Sequence, residues 1–341
     1  MLDGEGRDIR YLRLSVTDLC NCRCLYCMPA QGVPKLSHEQ ILSFEELERI
    51  VRAAAGLGIT KLRITGGEPL VRKGIVDLVG RLAAVEGIEE VAMTTNALRL
   101  APLAADLKAA GLDRLNVSLD TLDPDRYRTI TRRGSLEDAL EGLRAARKAG
   151  LGPTKVNCVL MGGVNTDEIP RLAALAREGA QGDLGVASVR FIELMPMGEC
   201  ACWPRERFVP ADVVLRALPG LVPLAPAAGA ARDESTCGPT GAPGDQGGVA
   251  QLYRMEGWRG TVGLIHPMSH RFCADCNRIR VTADGRLKPC LHSAAEISLR
   301  GLSDRELRQT MAAAISAKPK RHHMDATHAS ESLRAMNEIG G

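Results

Sequence analysis

Short apolar runs of strand-like composition alternate with amphipathic helical segments from residue 10 to about residue 195. The predicted strands span 11–17, 61–65, 90–96, 114–119, 155–160 and 188–194. Between them apolar residues recur at helical spacing, as in 43–58 and 135–150. Six β-then-α units favour a parallel sheet with right-handed crossovers, and we expect an α/β fold built on an incomplete (β/α)6 barrel of TIM type.

Polar residues set the ends of these elements. Ser43 with Glu46, and Ser135 with Asp138, have the spacing of helix N-terminal caps. Polar and glycine-rich segments also follow the strands, namely TDLCNCRCLYC, TGGEP, TTN, SLD and ELMPMG. In a βα barrel the carboxyl ends of the strands share one face, so these segments are predicted to converge on one site.

The pattern changes after about residue 210, which divides the chain into a predicted barrel (1–210) and a C-terminal region (211–341). Residues 218–250 are rich in Pro, Gly and Ala and are predicted to form a long surface loop containing Cys237. A helix is predicted over 303–316, and the chain ends in MNEIGG.

Composition narrows the functional classes. The 341 residues carry a net charge of +3, too small to indicate nucleic-acid binding. No apolar run approaches the roughly 18 residues of a membrane span, and the first residues lack the apolar core of a signal peptide. We therefore expect a cytoplasmic protein that binds neither nucleic acid nor membrane.

The eleven cysteines are concentrated in two places. Cytosolic thiols that cluster more often bind metal or do redox chemistry than form disulfides. The two groups are Cys20, Cys24 and Cys27, and Cys273, Cys276 and Cys290. Two sets of three fit two 4Fe–4S clusters, each with one iron left open, better than one four-ligand zinc site, although the spacing alone leaves zinc open.

The cysteines outside these two groups are not predicted to be cluster ligands. Cys22 lies inside the first group and is predicted not to be a ligand, because a chain wrapped around a cluster leaves no slack for it. Cys158, Cys200 and Cys202 are interpreted as small apolar side chains or surface thiols.

Four cations occupy predicted strands: Arg13, Arg63, Lys155 and Arg190. Arg and Lys are normally excluded from buried strand positions unless they are paired. Alternation along a strand allows each of them to face outward. If they point into the barrel together, they favour an anionic ligand such as a triphosphate.

Several motifs together indicate a family. The Cys-x3-Cys-x2-Cys spacing with Tyr26 before its last cysteine, and TGGEP at 65–69, resemble the radical S-adenosylmethionine enzymes. The second cysteine trio, CNRIR at 276–280 and the terminal Gly340-Gly341 resemble the GTP 3′,8-cyclases, the family of molybdenum cofactor biosynthesis protein A.

This resemblance implies a mechanism and a set of contacts. The first cluster would bind S-adenosylmethionine and cleave it to a 5′-deoxyadenosyl radical, with cosubstrate contacts from Tyr26, Gly67, Ser118 and Met195. The second cluster would contact guanine, and the di-glycine tail, Gly340 and Gly341, would assist the cyclisation of GTP. The implied GTP contacts are Arg13, Arg63, Thr94, Lys155, Arg190, Arg278, Ile279 and Arg280.

The resemblance also implies partners: an electron donor such as flavodoxin, a functional link to cyclic pyranopterin monophosphate synthase, and a second copy of the chain in a homodimer. Two other functions stay open on the sequence. One is a radical enzyme that modifies a peptide, since such enzymes also carry C-terminal cysteine clusters. The other is a zinc-stabilised binding protein without catalysis.

Overall fold

Twelve strands form one sheet in the computed structural model, which describes residues 1–224, 249–322, 324 and 330–340. The strands are β1 Tyr11–Ser15, β2 Lys61–Thr65, β3 Glu90–Thr95, β4 Arg114–Ser118, β5 Thr154–Leu160, β6 Val186–Glu193, β7 Leu221–Pro223, β8 Gln251–Met255, β9 Thr261–Ile265, β10 Arg278–Val281, β11 Arg286–Lys288 and β12 Ile297–Ser298. Their order across the sheet is β12-β11-β10-β1-β2-β3-β4-β5-β6-β9-β8-β7.

Helices follow most of the central strands. They are α1 Phe44–Ala55, α2 Ile75–Ala83, α3 Ala104–Ala109, α4 Pro124–Thr131, α5 Leu136–Lys148, α6 Ile169–Ala173, α7 Val213–Ala217, α8 Asp304–Ser316 and α9 Met336–Ile339. The six predicted strands and the predicted helices over 43–58, 135–150 and 303–316 are therefore confirmed. The caps are confirmed as well, because Ser43 accepts from the amide of Glu46 and Ser135 from that of Asp138.

Successive side chains along a strand face either the hydrophobic core or the barrel interior. Leu12 and Leu14 of β1 are fully buried in the main hydrophobic core, together with residues of α1 such as Leu47. Arg13 lies between them and therefore points to the other side, which is the barrel interior. The same strand thus supplies the core with leucines and the interior with a cation.

Strands of the C-terminal region extend the six-strand unit at both of its edges. β9 pairs in parallel with β6, and β10 pairs in parallel with β1. The segment between β9 and β10 therefore crosses from one edge of the incomplete barrel to the other. The incomplete barrel with a C-terminal extension is confirmed, whereas the domain boundary near residue 210 stays a prediction.

The predicted loop at 218–250 is wrong at its start, because Leu221–Pro223 form β7 and pair with β8. Backbone pairing with Tyr253–Met255 outweighs the proline-rich composition there. Residues 225–248, including Cys237, lie outside the described residues. Within the described part of the chain, no helix is long and apolar enough to cross a membrane.

Candidate active site

A cavity of about 370 Å³ fills the barrel interior, within the range of roughly 300–1,000 Å³ usual for small-molecule sites. Both cysteine trios line this one cavity, as do residues from β1 to β6 and from α9. All five polar segments that follow the strands contribute to its lining, so their predicted convergence on one site is confirmed.

The first trio lies on the loop that follows β1. The amide of Cys27 donates to the carbonyl of Cys24 at 2.9 Å, so the chain turns between them and brings their thiols to the same side. The loop is held by the end of α4, since Leu25 donates to the carbonyl of Ile130 and Arg23 to that of Thr131. These two backbone hydrogen bonds fix the loop against the end of α4.

Gly66 and Gly67 sit where the backbone of this loop passes closest to β2. A Cβ atom on Gly67 would lie 2.4 Å from the carbonyl oxygen of Leu19, and one on Gly66 would lie 2.6 Å from that of Thr17. Gly66 also has a φ of 153°. The close approach of the cysteine loop therefore explains why both positions are glycine.

Two buried carboxyl groups flank the first trio. Glu68 accepts hydrogen bonds from the amide of Asn96 and the hydroxyl of Thr95, both at 2.7 Å, and burial raises its pKa to about 7. Asp120 accepts from the Tyr26 hydroxyl at 2.8 Å, and burial raises its pKa to about 6. Both groups can therefore change charge close to neutral pH.

Burial also controls the thiols of the first trio. Burial raises the pKa of Cys27 to about 12, and the thiol of Cys20 adds to this shift. Cys22 is buried, lines the cavity, and donates its amide to the sulfur of Cys20 at 3.3 Å. Its predicted status as a non-ligand stays a prediction.

The second trio is assembled by a turn and a hairpin. The amide of Cys276 donates to the carbonyl of Cys273 at 3.2 Å. Cys290 follows β11, which runs antiparallel to β10 and returns the chain to the start of β10. Arg278 of β10 is level with Tyr11, the first residue of β1, so the second trio lies at the amino ends of the barrel strands. The two trios therefore occupy opposite ends of the interior.

Basic side chains support the second trio. Lys318 donates to the carbonyls of Arg278 at 2.9 Å and of Pro289 at 2.6 Å, while Arg7 donates to the carbonyl of Cys273 at 2.8 Å. Burial opposes ionisation of Cys276, but Arg278 and Lys318 outweigh it and lower the pKa of this thiol to about 6. Each trio offers three thiols around one space, the ligand type and number that fit a 4Fe–4S cluster with one open iron.

Arginines from four strands occupy the interior between the trios. Arg13, Arg63, Arg190, Arg278 and Arg280 all line the cavity, and so does Thr94. Burial and the nearby Arg278 lower the pKa of Arg280 to about 10. Crowding of guanidinium groups in a buried space is unfavourable without negative charge, so the interior suits a polyanion.

Two predicted GTP contacts, Ile279 and Lys155, do not line the cavity with their side chains. The Ile279 side chain is fully buried in the main core on the other side of β10, so only its backbone is near the interior. Lys155 has the same parity on β5 as Asn157 and Val159, which line the cavity, but does not line it itself.

The chain's C-terminal segment enters the barrel. Gly340 has a φ of 78°, and a Cβ atom there would lie 2.3 Å from the Thr65 hydroxyl oxygen at the end of β2. Its carbonyl accepts from a guanidinium nitrogen of Arg280 at 2.9 Å. The tail therefore reaches an arginine of the cavity at Gly340, whereas Gly341 lies outside the described residues.

Sequence reasoning missed several cavity residues. The four predicted cosubstrate contacts, Tyr26, Gly67, Ser118 and Met195, all line the cavity. Residues not predicted include Glu68, Asn96, Asn116, Asn157, His292, Lys318 and Asn337. Glu68 directly follows the glycines of TGGEP and could have been found from that motif, whereas Lys318 reaches the site only through tertiary packing.

Comparison with known families agrees with this geometry. Family models match residues 14–176 as the radical SAM superfamily and residues 187–324 as Molybdenum Cofactor Synthesis C. A solved structure of Streptococcus suis SuiB bound to S-adenosylmethionine is similar in fold, with a TM-score of 0.58, 13% identity, and coverage of 91% of this chain and 68% of that chain.

Full-length relatives give the family. The GTP 3′,8-cyclase of Moorella thermoacetica is 47% identical over 346 residues, and that of Alkaliphilus metalliredigens is 44% identical over 344 residues, each alignment covering 100% of both chains. The GTP 3′,8-cyclase of Geobacter sulfurreducens is 44% identical, covering 100% of this chain and 99% of its own. This chain belongs to the GTP 3′,8-cyclase family of the radical S-adenosylmethionine superfamily.

Proposed function

We propose that this enzyme, a lyase, cyclises GTP to 3′,8-cyclo-7,8-dihydroguanosine 5′-triphosphate, the first step of molybdenum cofactor biosynthesis. The observation that carries the proposal is the placement of two cysteine trios at opposite ends of one arginine-lined cavity. Enzymes of this superfamily use a 4Fe–4S cluster and S-adenosylmethionine, and each trio here would hold one cluster. A polypeptide substrate has no comparable need for several interior arginines, so the arginines favour the nucleotide.

Reductive cleavage of S-adenosylmethionine, and the radical chemistry that removes the ribose 3′ hydrogen and joins C3′ to C8 of guanine, would be supplied by the N-terminal cluster when it is bound. The chain positions these groups. Cys20, Cys24 and Cys27 would hold that cluster, and Tyr26, Gly67, Ser118 and Met195 would contact the cosubstrate. We add Glu68 as acceptor for its amino group, because this carboxyl lies beside the trio and faces the cavity.

The middle and far end of the cavity would hold the nucleotide. Cys273, Cys276 and Cys290 would hold the second cluster beside the guanine. The proposed contacts of GTP are Arg13, Arg63, Thr94, Arg190, Arg278 and Arg280, with Lys155 and the backbone of Ile279 at the edge of the site. Arginine suits this role because its planar donors bind phosphate oxygens in pairs.

The tail and the barrel wall would keep water from the radical. Gly340 lies against Thr65 at the carboxyl end of β2, and α9 contributes Met336 and Asn337 to the lining. The hydrogen bond from Arg280 to the carbonyl of Gly340 links the tail to the phosphate-binding arginines. The tail, Gly340 and Gly341, would thereby assist the reaction from beside the bound nucleotide.

Several partners are part of the same proposal. Each turnover needs two external electrons, one for cleavage of S-adenosylmethionine and one that, with a proton, reduces the nucleotide radical left after C3′ bonds to C8; a donor such as flavodoxin would supply both. The product would be consumed by cyclic pyranopterin monophosphate synthase, and the enzyme would act in the cytoplasm as a homodimer.

The decisive experiment is anaerobic incubation of reconstituted protein with GTP, S-adenosylmethionine and dithionite. We expect the cyclised nucleotide, with 5′-deoxyadenosine and methionine in equal amounts, and about eight irons per chain. The variant Cys202→Ser, which changes an exposed cysteine outside both trios, should give the same products and the same iron content. Deoxyadenosine without cyclised nucleotide would refute the substrate assignment, and zinc without sulfide would refute both clusters.

A further inference from the structure

We infer that Asp212, His266 and His270 form a binding site for one divalent transition metal ion, Zn²⁺, separate from the two cysteine trios. One ligand atom from each of these three side chains lies within 4.8 Å of the others. None of the three lines the barrel cavity. Asp212 immediately precedes α7, and both histidines follow β9 on the segment that leads to Cys273.

His266 is held as a metal ligand would be. It is 3% exposed, and its Nδ1 lies 3.1 Å from the Ser269 hydroxyl and 3.4 Å from a carboxylate oxygen of Glu193. Metal-binding histidines usually direct one ring nitrogen at such a group, which orients the ring and leaves the other nitrogen for the metal.

The second ring nitrogen of His266 points to a missing ligand. Its Nε2 is buried and has no hydrogen-bond partner among the described residues. Leaving a buried imidazole nitrogen unpaired is unfavourable, and coordination to a metal ion would remove that penalty. A solvent-exposed histidine would carry no such indication.

The other two side chains complete a donor set. The rings of His266 and His270 are 5.1 Å apart and inclined at 72°, so the two imidazoles can address one ion from different directions. The Asp212 side chain makes no capping bond to α7, although it stands at the capping position. Two imidazoles and one carboxylate are ligands that Zn²⁺ accepts, at distances of about 2.0–2.2 Å, with water in a fourth position.

Glu193 connects this site to the loop of the second trio. Its carboxylate accepts from the amides of Met268 and Ser269, each at 2.9 Å, and from the amide of Ala211 at 3.0 Å. The segment that carries both histidines is therefore already joined to the start of α7. A metal ion would add a second link between the same elements and so stabilise the approach to Cys273, independently of which substrate the enzyme uses.

The test uses protein with both clusters assembled, so that the cysteines are occupied. After anaerobic incubation with Zn²⁺ and desalting, we expect one zinc per chain. Absorption at the zinc K edge should show only nitrogen and oxygen ligands at about 2.0–2.2 Å, because zinc on cluster cysteines would show sulfur at about 2.3 Å. His270→Ala and Asp212→Asn should each retain at least about tenfold less zinc.

His38→Ala is the control, because His38 is exposed and lies in a separate turn before α1. His270 is also exposed, so its removal should not disturb folding, and unchanged iron and sulfide contents verify this. Sulfur ligands around the bound zinc, equal zinc in His270→Ala and the parent protein, or no zinc retained by the parent protein would each overturn the site.

Discussion

In both cysteine trios the central feature is a Cys-x2-Cys turn, closed by an amide-to-carbonyl hydrogen bond of 2.9 Å at Cys27 and 3.2 Å at Cys276. The third cysteine arrives differently. Cys20 comes from the same loop, four residues before Cys24, whereas Cys290 comes from the far end of the β10–β11 hairpin. The first trio therefore depends on local chain geometry, and the second depends on strand pairing.

The electrostatic surroundings also differ. Buried carboxyl groups, Glu68 and Asp120, stand near the first trio, and burial raises the pKa of Cys27 to about 12. Arg278 and Lys318 stand near the second trio and, against the effect of burial, lower the pKa of Cys276 to about 6. One chain thus presents three thiols to each end of a cavity, and the surroundings disfavour the thiolate form at Cys27 but favour it at Cys276.

Removing a ligand from either trio should give the largest effects and separate their roles. We expect Cys24→Ser to abolish S-adenosylmethionine cleavage, and Cys276→Ser to retain some cleavage while product falls by more than about 100-fold, since even indirect partners of metal ligands cost 10–100-fold. Deoxyadenosine and cyclised nucleotide are measured by chromatography.

Cys202→Ser serves as the control in the same assay, because its side chain is exposed. Deoxyadenosine formation by Cys24→Ser would contradict the assignment of the first trio. Normal GTP conversion by Cys276→Ser would remove the proposed difference between the trios.

The electrostatic difference can be tested in the cluster-free, reduced protein. At pH 7 a thiol with a pKa of about 6 is mostly ionised, whereas one with a pKa of about 12 is almost wholly protonated. The lower intrinsic nucleophilicity of the more acidic thiol offsets part of this gain, so we expect Cys276 to be alkylated about 100-fold faster than Cys27.

Mass spectrometry of peptides after timed exposure to iodoacetamide measures both rates. Alkylation of Cys276 should fall as the pH drops through 6, whereas that of Cys27 should still be rising at pH 9. The variant Lys318→Met should slow the reaction of Cys276 by raising the pKa of that thiol. Equal rates at the two cysteines would show that their surroundings are electrostatically alike.

The same contrast explains what the sequence could predict. The strands and the helix caps, such as that of Ser43, follow from local spacing and are confirmed. The first trio also follows from local spacing, and its role as a cluster ligand set stays a prediction. The position of the second trio follows from the register of β10 on β1, which brings Arg278 level with Tyr11. No local pattern encodes that pairing, so its location at the amino ends of the strands was not predicted. Side-chain direction was likewise uncertain at Ile279, which faces the core.

A substitution in the C-terminal tail should reduce turnover moderately, because the tail contacts residues toward both ends of the cavity. Gly340→Ala should reduce turnover by about tenfold, because positive φ alone costs a residue with a Cβ roughly 1–2 kcal/mol and the new methyl group would also meet Thr65. Iron and sulfide contents should not change. Gly301→Ala is a matched control, since Gly301 has a φ of 73° but open space around its Cβ position. Equal kinetics for the two variants would show that the tail's contact with Thr65 is irrelevant to turnover.

The smallest effect on turnover is expected from substitution of Cys22, a fourth thiol beside the first trio that has no counterpart beside the second. Cys22 is buried beside Cys20, and its sulfur lies 3.5 Å from the side-chain nitrogen of Asn96. If three cysteines hold the cluster, Cys22→Ala should keep its iron and turn over within about twofold of the parent, as expected for losing one weak hydrogen bond. In air, the cluster-free variant should form fewer disulfides that involve Cys20, because the neighbouring thiol is gone. Iron loss from the first trio of Cys22→Ala, measured with Cys276→Ser in the same chain to remove the second cluster, would instead make Cys22 a ligand.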